Sequence, residues 1–244
     1  MNNIYIPPVV KNLLIINVLF FIATYILKTK GIELSAYLGA FYFDSPAFRI
    51  WQPITYMFMH GGFAHIFFNM FALYSFGTVL ESKWGSKRFL NFYLITGLGA
   101  LALQWGVQAF EVYQMTGSPL NPDSIGINLA GSAITTIPNL SPDQSQTFLE
   151  IYLGPMVGAS GAIFGLLVAF GMIYPDAELY IMFIPVPVKA KYIMPVYILI
   201  ELSLGIAKFQ GDSIAHYAHL GGALIGFILV KLWKDKNTFY DYYE

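Results

Sequence analysis

Apolar residues gather into six runs that approach the roughly 20 residues a helix needs to cross a bilayer core, within a working range of about 17–25. They cover residues 12–27, 63–80, 89–110, 158–174, 192–207 and 214–233. Polar residues punctuate them: Pro7-Pro8 opens the first and Lys28-Thr29-Lys30-Gly31 closes it, Glu81-Ser82-Lys83 ends the second, and Lys87-Arg88 precedes the third. Pro175-Asp176 stops the fourth, Pro195 falls near the start of the fifth where a proline is tolerated, and Lys234-Asp235-Lys236 follows the sixth. The pattern predicts an all-α polytopic membrane protein, a bundle of six transmembrane helices forming a single domain over residues 1–244.

Two connections between these runs are long. Residues 31–62 are rich in aromatics but broken by Asp44, Pro46, Arg49 and Pro53, a pattern that suits a structured loop lying in the interface better than a seventh span. Residues 112–153 contain Thr116-Gly117-Ser118-Pro119, Asn121-Pro122-Asp123-Ser124 and Pro138-Asn139-Leu140-Ser141-Pro142 and no Lys or Arg, and read as one external loop.

Composition agrees with the pattern. At 57% hydrophobic and 11% charged residues, the 244-residue chain is too apolar for an ordinary soluble domain. With no cysteine, thiolate metal sites, disulfides and cysteine nucleophiles are excluded, and a net charge of −1 without a basic face gives nucleic acid nothing to bind. With the N-terminus inside, Lys11, Lys83, Lys87, Arg88, Lys189, Lys191, Lys231, Lys234 and Lys236 are cytoplasmic, whereas Lys28, Lys30, Arg49 and Lys208 are outside. The positive-inside rule therefore places both termini in the cytoplasm. Residues 1–8 lack the features of a signal peptide, and a compact six-span chain without targeting extensions points to a bacterial inner membrane. The tail 239–244 reads as an interfacial or frayed end.

Strongly polar residues inside a span cost free energy, about 2.5–3.5 kcal/mol for a central charge on insertion scales, so each calls for an explanation. His65 and Asn69 lie four apart in the second run, on one helical face; Glu201 lies midway along the fifth; His216 and His219 open the sixth. Gly158-Ala159-Ser160-Gly161 stands at the mouth of the fourth. Taken alone, Gly161-xxx-Gly165 is a small-residue packing face of which Ser160 is merely a part. His219, however, is followed by Gly222 and Gly226 on roughly its own face, and if the two glycine faces pack together, serine and histidine meet. Both lie near the outer end of their spans, His219 about 7.5 Å in at ~1.5 Å per residue.

Neutral imidazole can take the serine proton and so activate a weak nucleophile. His65, Asn69 and the Ser160 backbone N–H are candidate donors for an oxyanion. Glu201 reads as a partner for a neighbouring polar group or backbone; with no acidic residue obviously spaced as a third member for His219, the reading is a Ser–His dyad. There is no His-Glu-x-x-His and no aspartate within a span, so neither a zinc peptidase of that pattern nor an aspartyl dyad has its residues. No cofactor or metal is expected. Two other classes stay open: a catalytically silent protein of the same fold that binds membrane clients, and a transporter or channel lined by His65, Asn69, His219 and Glu201.

These residues also carry a family likeness. Gly158-x-Ser160-Gly161, Ala218-His219-x-x-Gly222-x-x-x-Gly226, His65-x-x-x-Asn69 and the lead-in Tyr56-Met57-Phe58-Met59-His60-Gly61, in this order and on these spans, resemble the rhomboid family of intramembrane serine proteases. The resemblance implies Ser160 as nucleophile, His219 as general base and acid, and His65, Asn69 and Ser160 as the oxyanion hole. It also implies Phe164 as an aromatic packed on the histidine, with Gly158, Gly161 and Gly222 packing the site. It further implies that residues 31–62 form a membrane-embedded loop and that the fifth span, with the loop before His219, is a substrate gate. The partners implied are transmembrane protein substrates in a lipid bilayer, cut near the outer face. Where the family's loop commonly shows Trp-Arg, this chain has Trp51 followed by Gln52 and Pro53, a departure that bears on any ion pair the arginine would make.

Overall fold

The computed structural model describes residues 5–120, 140–180, 186–207 and 215–233. The tail 239–244, the turn motifs at 121–124 and 138–139, Lys208, Lys234 and Lys236 of the charge count, and the residues just before Ala215 lie outside them.

The chain is a helical membrane bundle. In order come α1 (Pro8–Lys28), α2 (Ser35–Leu38), α3 (Gln52–Thr55), α4 (Phe63–Ala72), α5 (Thr78–Trp84), α6 (Ser86–Thr116), α7 (Pro142–Leu153), α8 (Ser160–Ile173), α9 (Ala190–Ala207) and α10 (His216–Leu232). A π turn over Leu73–Gly77 joins α4 and α5 into one helix. An antiparallel pair, β1 (Glu178–Tyr180) and β2 (Pro187–Lys189), leads into α9. Among the described residues, four helices are long and apolar enough to cross a membrane: Pro8–Lys28, Phe63–Trp84, Ser86–Thr116 and Ala190–Ala207. Ser160–Ile173 and His216–Leu232 are apolar but shorter.

The centre of the bundle is a three-helix contact. Helix α6 buries a stripe of Phe89, Phe92, Tyr93, Thr96, Gly97, Ala100 and Leu101, within which Thr96 and Ala100 meet Gly165 and Gly161 of α8 and Ala100 also meets Gly221 of α10. Between α8 and α10 the backbones touch. A methyl group at Gly222 would lie 1.8 Å from the Gly161 carbonyl oxygen, and one at Gly226 would lie 2.8 Å from Gly165 Cα. Lipid competes for apolar surface as well as a helix does, so close van der Waals contact of small residues is what holds such helices together. By contrast, Tyr192, Val196, Leu199, Leu202 and Ile206 leave the outer side of α9 exposed, as suits a lipid-facing helix at the rim.

Two features differ from the sequence expectations. Residues 112–153 are not one external loop: α6 continues to Thr116, and α7 forms a helix. The signal for α7 was local, since Ser141-Pro142-Asp143-Gln144 is a capping box with proline in the first turn, and both of its reciprocal hydrogen bonds are made. Phe148, Ile151 and Tyr152 of α7 pack with Tyr42 and Val112 in a satellite core. Glu81, read from sequence as a boundary residue, is 2% exposed and caps a different helix. Its carboxylate accepts the N–H groups of Val9 (3.0 Å) and Val10 (2.7 Å) and the Ser86 hydroxyl (2.7 Å). Helix α1 has no side chain of its own capping its N-terminus, so its first-turn donors are satisfied by this remote acid.

The segment between α1 and α4 is folded rather than trailing. Gln52, wholly buried, holds it from the middle: its Oε1 accepts from the N–H groups of Arg49 (3.0 Å) and Phe41 (3.4 Å), and its Nε2 donates to the carbonyls of Ala47 (3.1 Å) and Tyr37 (3.5 Å). A neutral amide thus crosslinks this loop internally. At its end, His60 is buried and meets the His65 ring edge-on, with centroids 5.0 Å apart.

Three outcomes are expected. Gly222→Ala lowers the thermal midpoint sharply in detergent, whereas Gly106→Ala, where an added methyl meets nothing within 4 Å, leaves it unchanged or higher. Glu81→Ala costs about 1–3 kcal/mol, the penalty for orphaning buried donors, and Glu81→Gln costs less. Burial, and then the neighbouring His65, push His60 down to about 4 from 6.5, so the unfolded chain binds more protons between those pH values. Stability conferred by the neutral ring is therefore lost as pH falls from about 6.5 toward 4, and the midpoint of His60→Gln should depend less on pH across that window than that of the native chain.

Candidate active site

Helix α8 starts abruptly. Its 14 residues span about 21 Å at ~1.5 Å per residue, short of a hydrocarbon core of about 30 Å. The chain reaches α8 through the non-helical segment 154–159, and backbone of that kind is tolerated at membrane depth only when protein or enclosed water satisfies it. Here Ala40 and Met156 exchange both backbone hydrogen bonds (2.9 and 2.8 Å), and Gly158 N–H donates to the Tyr56 carbonyl (3.0 Å). The loop before α4 therefore straps the approach to Ser160. Gly158 has φ +130°, a conformation L side chains rarely adopt, and it closes the approach.

Ser160 is the first residue of α8, so its N–H and those that follow have no acceptor within the helix. His219 lies in the first turn of α10, carried to α8 by the glycine contact below it. Its Nε2 is 2.8 Å from Ser160 Oγ. The Phe164 ring, one turn into α8, stacks on the imidazole with centroids 4.4 Å apart and planes inclined by 6°. The ring is thus fixed on one face by an aromatic and at one edge by the serine.

The other edge is occupied as well. His219 Nδ1 lies 2.9 Å from Oε2 of Glu201 on α9, and the same oxygen lies 2.6 Å from Nδ1 of His216. All three residues are buried. Sequence spacing offered no acidic neighbour for His219, and the structure corrects that: a carboxylate sits on the nitrogen opposite the serine. Glu201 and His219 are on different helices, 18 residues apart, so no periodicity links them. The available signal was that Glu201 is an uncompensated acid midway along an apolar run, which calls for a buried partner. Among the described residues, Glu201, His216 and His219 also form the group able to hold a metal ion, with donor atoms within 4.8 Å of one another. Their observed N···O separations are those of hydrogen bonds.

His65 projects from α4 toward the same region. His65 Nδ1 accepts the Gly61 N–H at 3.4 Å, which leaves Nε2 as the protonated, donating nitrogen of a neutral ring. That nitrogen flanks Gly158: a methyl group there would lie 2.8 Å from His65 Nε2 and 3.5 Å from Ser160 Oγ. The missing side chain leaves a small space between a donor and the serine oxygen. Asn69 is buried one turn further along α4. Ser160, His219, Phe164, His65, Gly158, Gly161 and Gly222 thus converge toward the N-terminal ends of α4, α8 and α10.

Comparison with known proteins places this arrangement. A family model described as the rhomboid domain matches residues 47–234. An uncharacterized mitochondrial rhomboid protein of Schizosaccharomyces pombe is 26% identical over 212 residues, covering 78% of this chain and 53% of that protein. Mitochondrial rhomboid protein 1 of Saccharomyces cerevisiae is 29% identical over 172 residues, covering 69% and 38%. The rhomboid protease AarA of Providencia stuartii is 27% identical over 183 residues, covering 73% and 54%. The chain spans about half the length of the curated relatives it matches. With most of its length inside the rhomboid domain, including every helix that builds the site, the chain is an integral membrane protein and belongs to the rhomboid family.

Proposed function

We propose that the chain is an intramembrane serine endopeptidase in which Ser160 attacks a substrate peptide bond and His219 moves the proton. The observation that carries this reading is the 2.8 Å contact between Ser160 Oγ and His219 Nε2 at the mouth of α8. In the first step Nε2 takes the hydroxyl proton as Oγ bonds to the carbonyl carbon and the carbonyl π pair moves to oxygen. Collapse of that intermediate breaks the C–N bond, and Nε2 gives its proton to the leaving amine. Water then repeats the sequence on the acyl-enzyme.

The space beside Gly158 suits the developing oxyanion. His65 Nε2–H flanks it, the unpaired N–H groups at the start of α8 open beside it, and Asn69 supplies a further amide from the same face of α4. Donors preorganised in this way act where charge appears and need no reorganisation during the reaction. Phe164 holds the imidazole plane, and Gly161 and Gly222 set the distance between the two helices.

The substrates are transmembrane proteins, cut toward the outer face, in keeping with the recessed start of α8. AarA is named a rhomboid protease. The reading places the domain as six spans with both termini cytoplasmic. The relatives include bacterial, mitochondrial and chloroplastic proteins, and the setting proposed for this chain is the bacterial inner membrane expected from the sequence.

A fluorophosphonate probe should label the native chain in detergent, while Ser160→Ala and His219→Ala should not be labelled; equal labelling of all three would refute the assignment. His65→Ala and Asn69→Ala should keep the fold and lower turnover of a transmembrane peptide by roughly 10²-fold each, the scale seen for a lost oxyanion donor. Gly158→Ala should abolish turnover, because its methyl group fills the space reserved for the oxyanion.

A further inference from the structure

We infer that Glu201 is the positioning residue for His219, so that three groups rather than two make up the catalytic constellation, with the proton passing only between Ser160, His219 and substrate. The inference rests on the Ser160–His219 reading above. It begins with the inventory of nitrogens. A neutral imidazole carries one N–H, and the nitrogen facing an ionised carboxylate must be the one that carries it, because a carboxylate only accepts. His219 Nδ1 faces Glu201 Oε2 at 2.9 Å, so the proton sits on Nδ1 and the Nε2 lone pair is left facing the Ser160 hydroxyl. A base in the opposite tautomer would present an N–H to the serine and could not accept its proton.

The carboxylate is itself held. His216, one helical turn before His219, donates its Nδ1–H to the same Oε2 at 2.6 Å, so the oxygen is clamped between two rings of α10. Those rings stand nearly perpendicular, at 88°, and therefore approach it along different directions. When His219 accepts the Ser160 proton it becomes a cation in a buried site, and Glu201 is the anion already beside it. Glu201 never touches substrate and exchanges no proton with it; it acts only through the ring. Stacking on Phe164 fixes the ring plane but cannot choose which nitrogen bears the proton, and Glu201 makes that choice.

The test uses the full chain in detergent with a transmembrane peptide substrate. The variants are Glu201→Gln and Glu201→Asp, with Ser160→Ala as the blank. Glu201→Gln, whose amide can donate to Nδ1 and so admit the wrong tautomer, should lower kcat by at least about 100-fold while KM stays within about threefold; the corresponding change in a soluble serine protease costs about 10⁴. Glu201→Asp should recover part of the loss. Nitrogen NMR of histidine-labelled protein supplies a signature that a purely structural role would not move, and only four histidines need assignment. Native His219 should show a protonated Nδ1 and a bare Nε2, a pattern lost in Glu201→Gln.

A protonated Nε2 in native His219 overturns the inference whatever the variants do, as does a Glu201→Gln protein with kcat within twofold of native. Loss of turnover on treatment with a chelator, restored by a divalent transition metal, would also overturn it by showing that the three residues hold an ion instead. If the native chain shows no Ser160-dependent turnover, the proposed function has failed, and the tautomer of His219 still decides whether Glu201 sets the ring.

Discussion

The contact on which the rest depends is backbone against backbone between α8 and α10. Below the Ser160–His219 hydrogen bond, the separation of those helices is set by steric contact. What sets it is the absence of side chains at Gly222 and Gly226 of α10, where a methyl group would lie within 3 Å of the Gly161 carbonyl oxygen and of Gly165 Cα; a methyl group at Gly161 or Gly165 would instead meet Ala100 or Thr96 of α6. A nucleophile and a base on separate helices must meet to within a few tenths of an ångström. Long side chains reach around errors of position; a serine cannot. Helices brought to their closest possible approach remove the error at its source, and their rigidity is supported by α6, whose Ala100 and Gly99 pack against Gly161 and Gly221 in turn.

The opposite requirement governs the segment before α8. A hydroxyl that must be reached by a substrate backbone cannot sit within a continuous helix, so the chain arrives at Ser160 as irregular structure, and irregular backbone is costly where water is scarce. The loop between α1 and α4 meets that cost. Its Ala40 pairs with Met156 and its Tyr56 carbonyl takes the Gly158 N–H, while Gln52 and the Trp105 indole, which donates to the Phe41 carbonyl at 3.0 Å, keep the loop itself in register. Gln52 stands where the family's loop commonly has arginine, and it satisfies loop backbone groups from the inside with no charge to balance.

How far the sequence could be read follows from the range of each signal. The apolar runs, the serine between glycines, and His65 four residues before Asn69 are local patterns, and the structure gives a helix at each of the six runs with those residues at one end of the bundle. The capping box of α7 is equally local, but the proline and asparagine motifs around it dominate the pattern of residues 112–153 and give it the look of one loop. Glu81 and Glu201 are another matter. Each is an acid whose partners lie on other helices, 72 and 18 residues away, and linear spacing carries no information about such a pair. What sequence can say is that a carboxylate amid apolar residues has a partner; only the packing says which.

The location of Glu201 has a consequence for how the site works. The other groups of the site are mounted on α4, α8 and α10, held by central packing, but Glu201 rides on α9, a helix at the rim with an exposed apolar face. Helix α9 is seated along α8 and α10: Met194 lies against Gly171, Tyr197 meets the Phe164 ring edge-on, Gly205 lies against Tyr217, whose hydroxyl donates to the Gly205 carbonyl at 3.0 Å, and the Glu201 carboxylate sits between His216 and His219. Any outward tilt of α9 that admits a substrate helix carries the carboxylate with it, because a side chain of three rotatable bonds cannot span more than a few ångströms. Were substrate to enter along α9, as the family resemblance implies, entry and the orientation of His219 would be one structural variable. The histidine pair on α10 strengthens that link, since two hydrogen bonds to one oxygen favour the seated position of the helix over the displaced one. A rim helix held in place by the group that orients the base would restore that orientation on returning to its seat, because the Glu201–His219 contact exists only with α9 seated against α10.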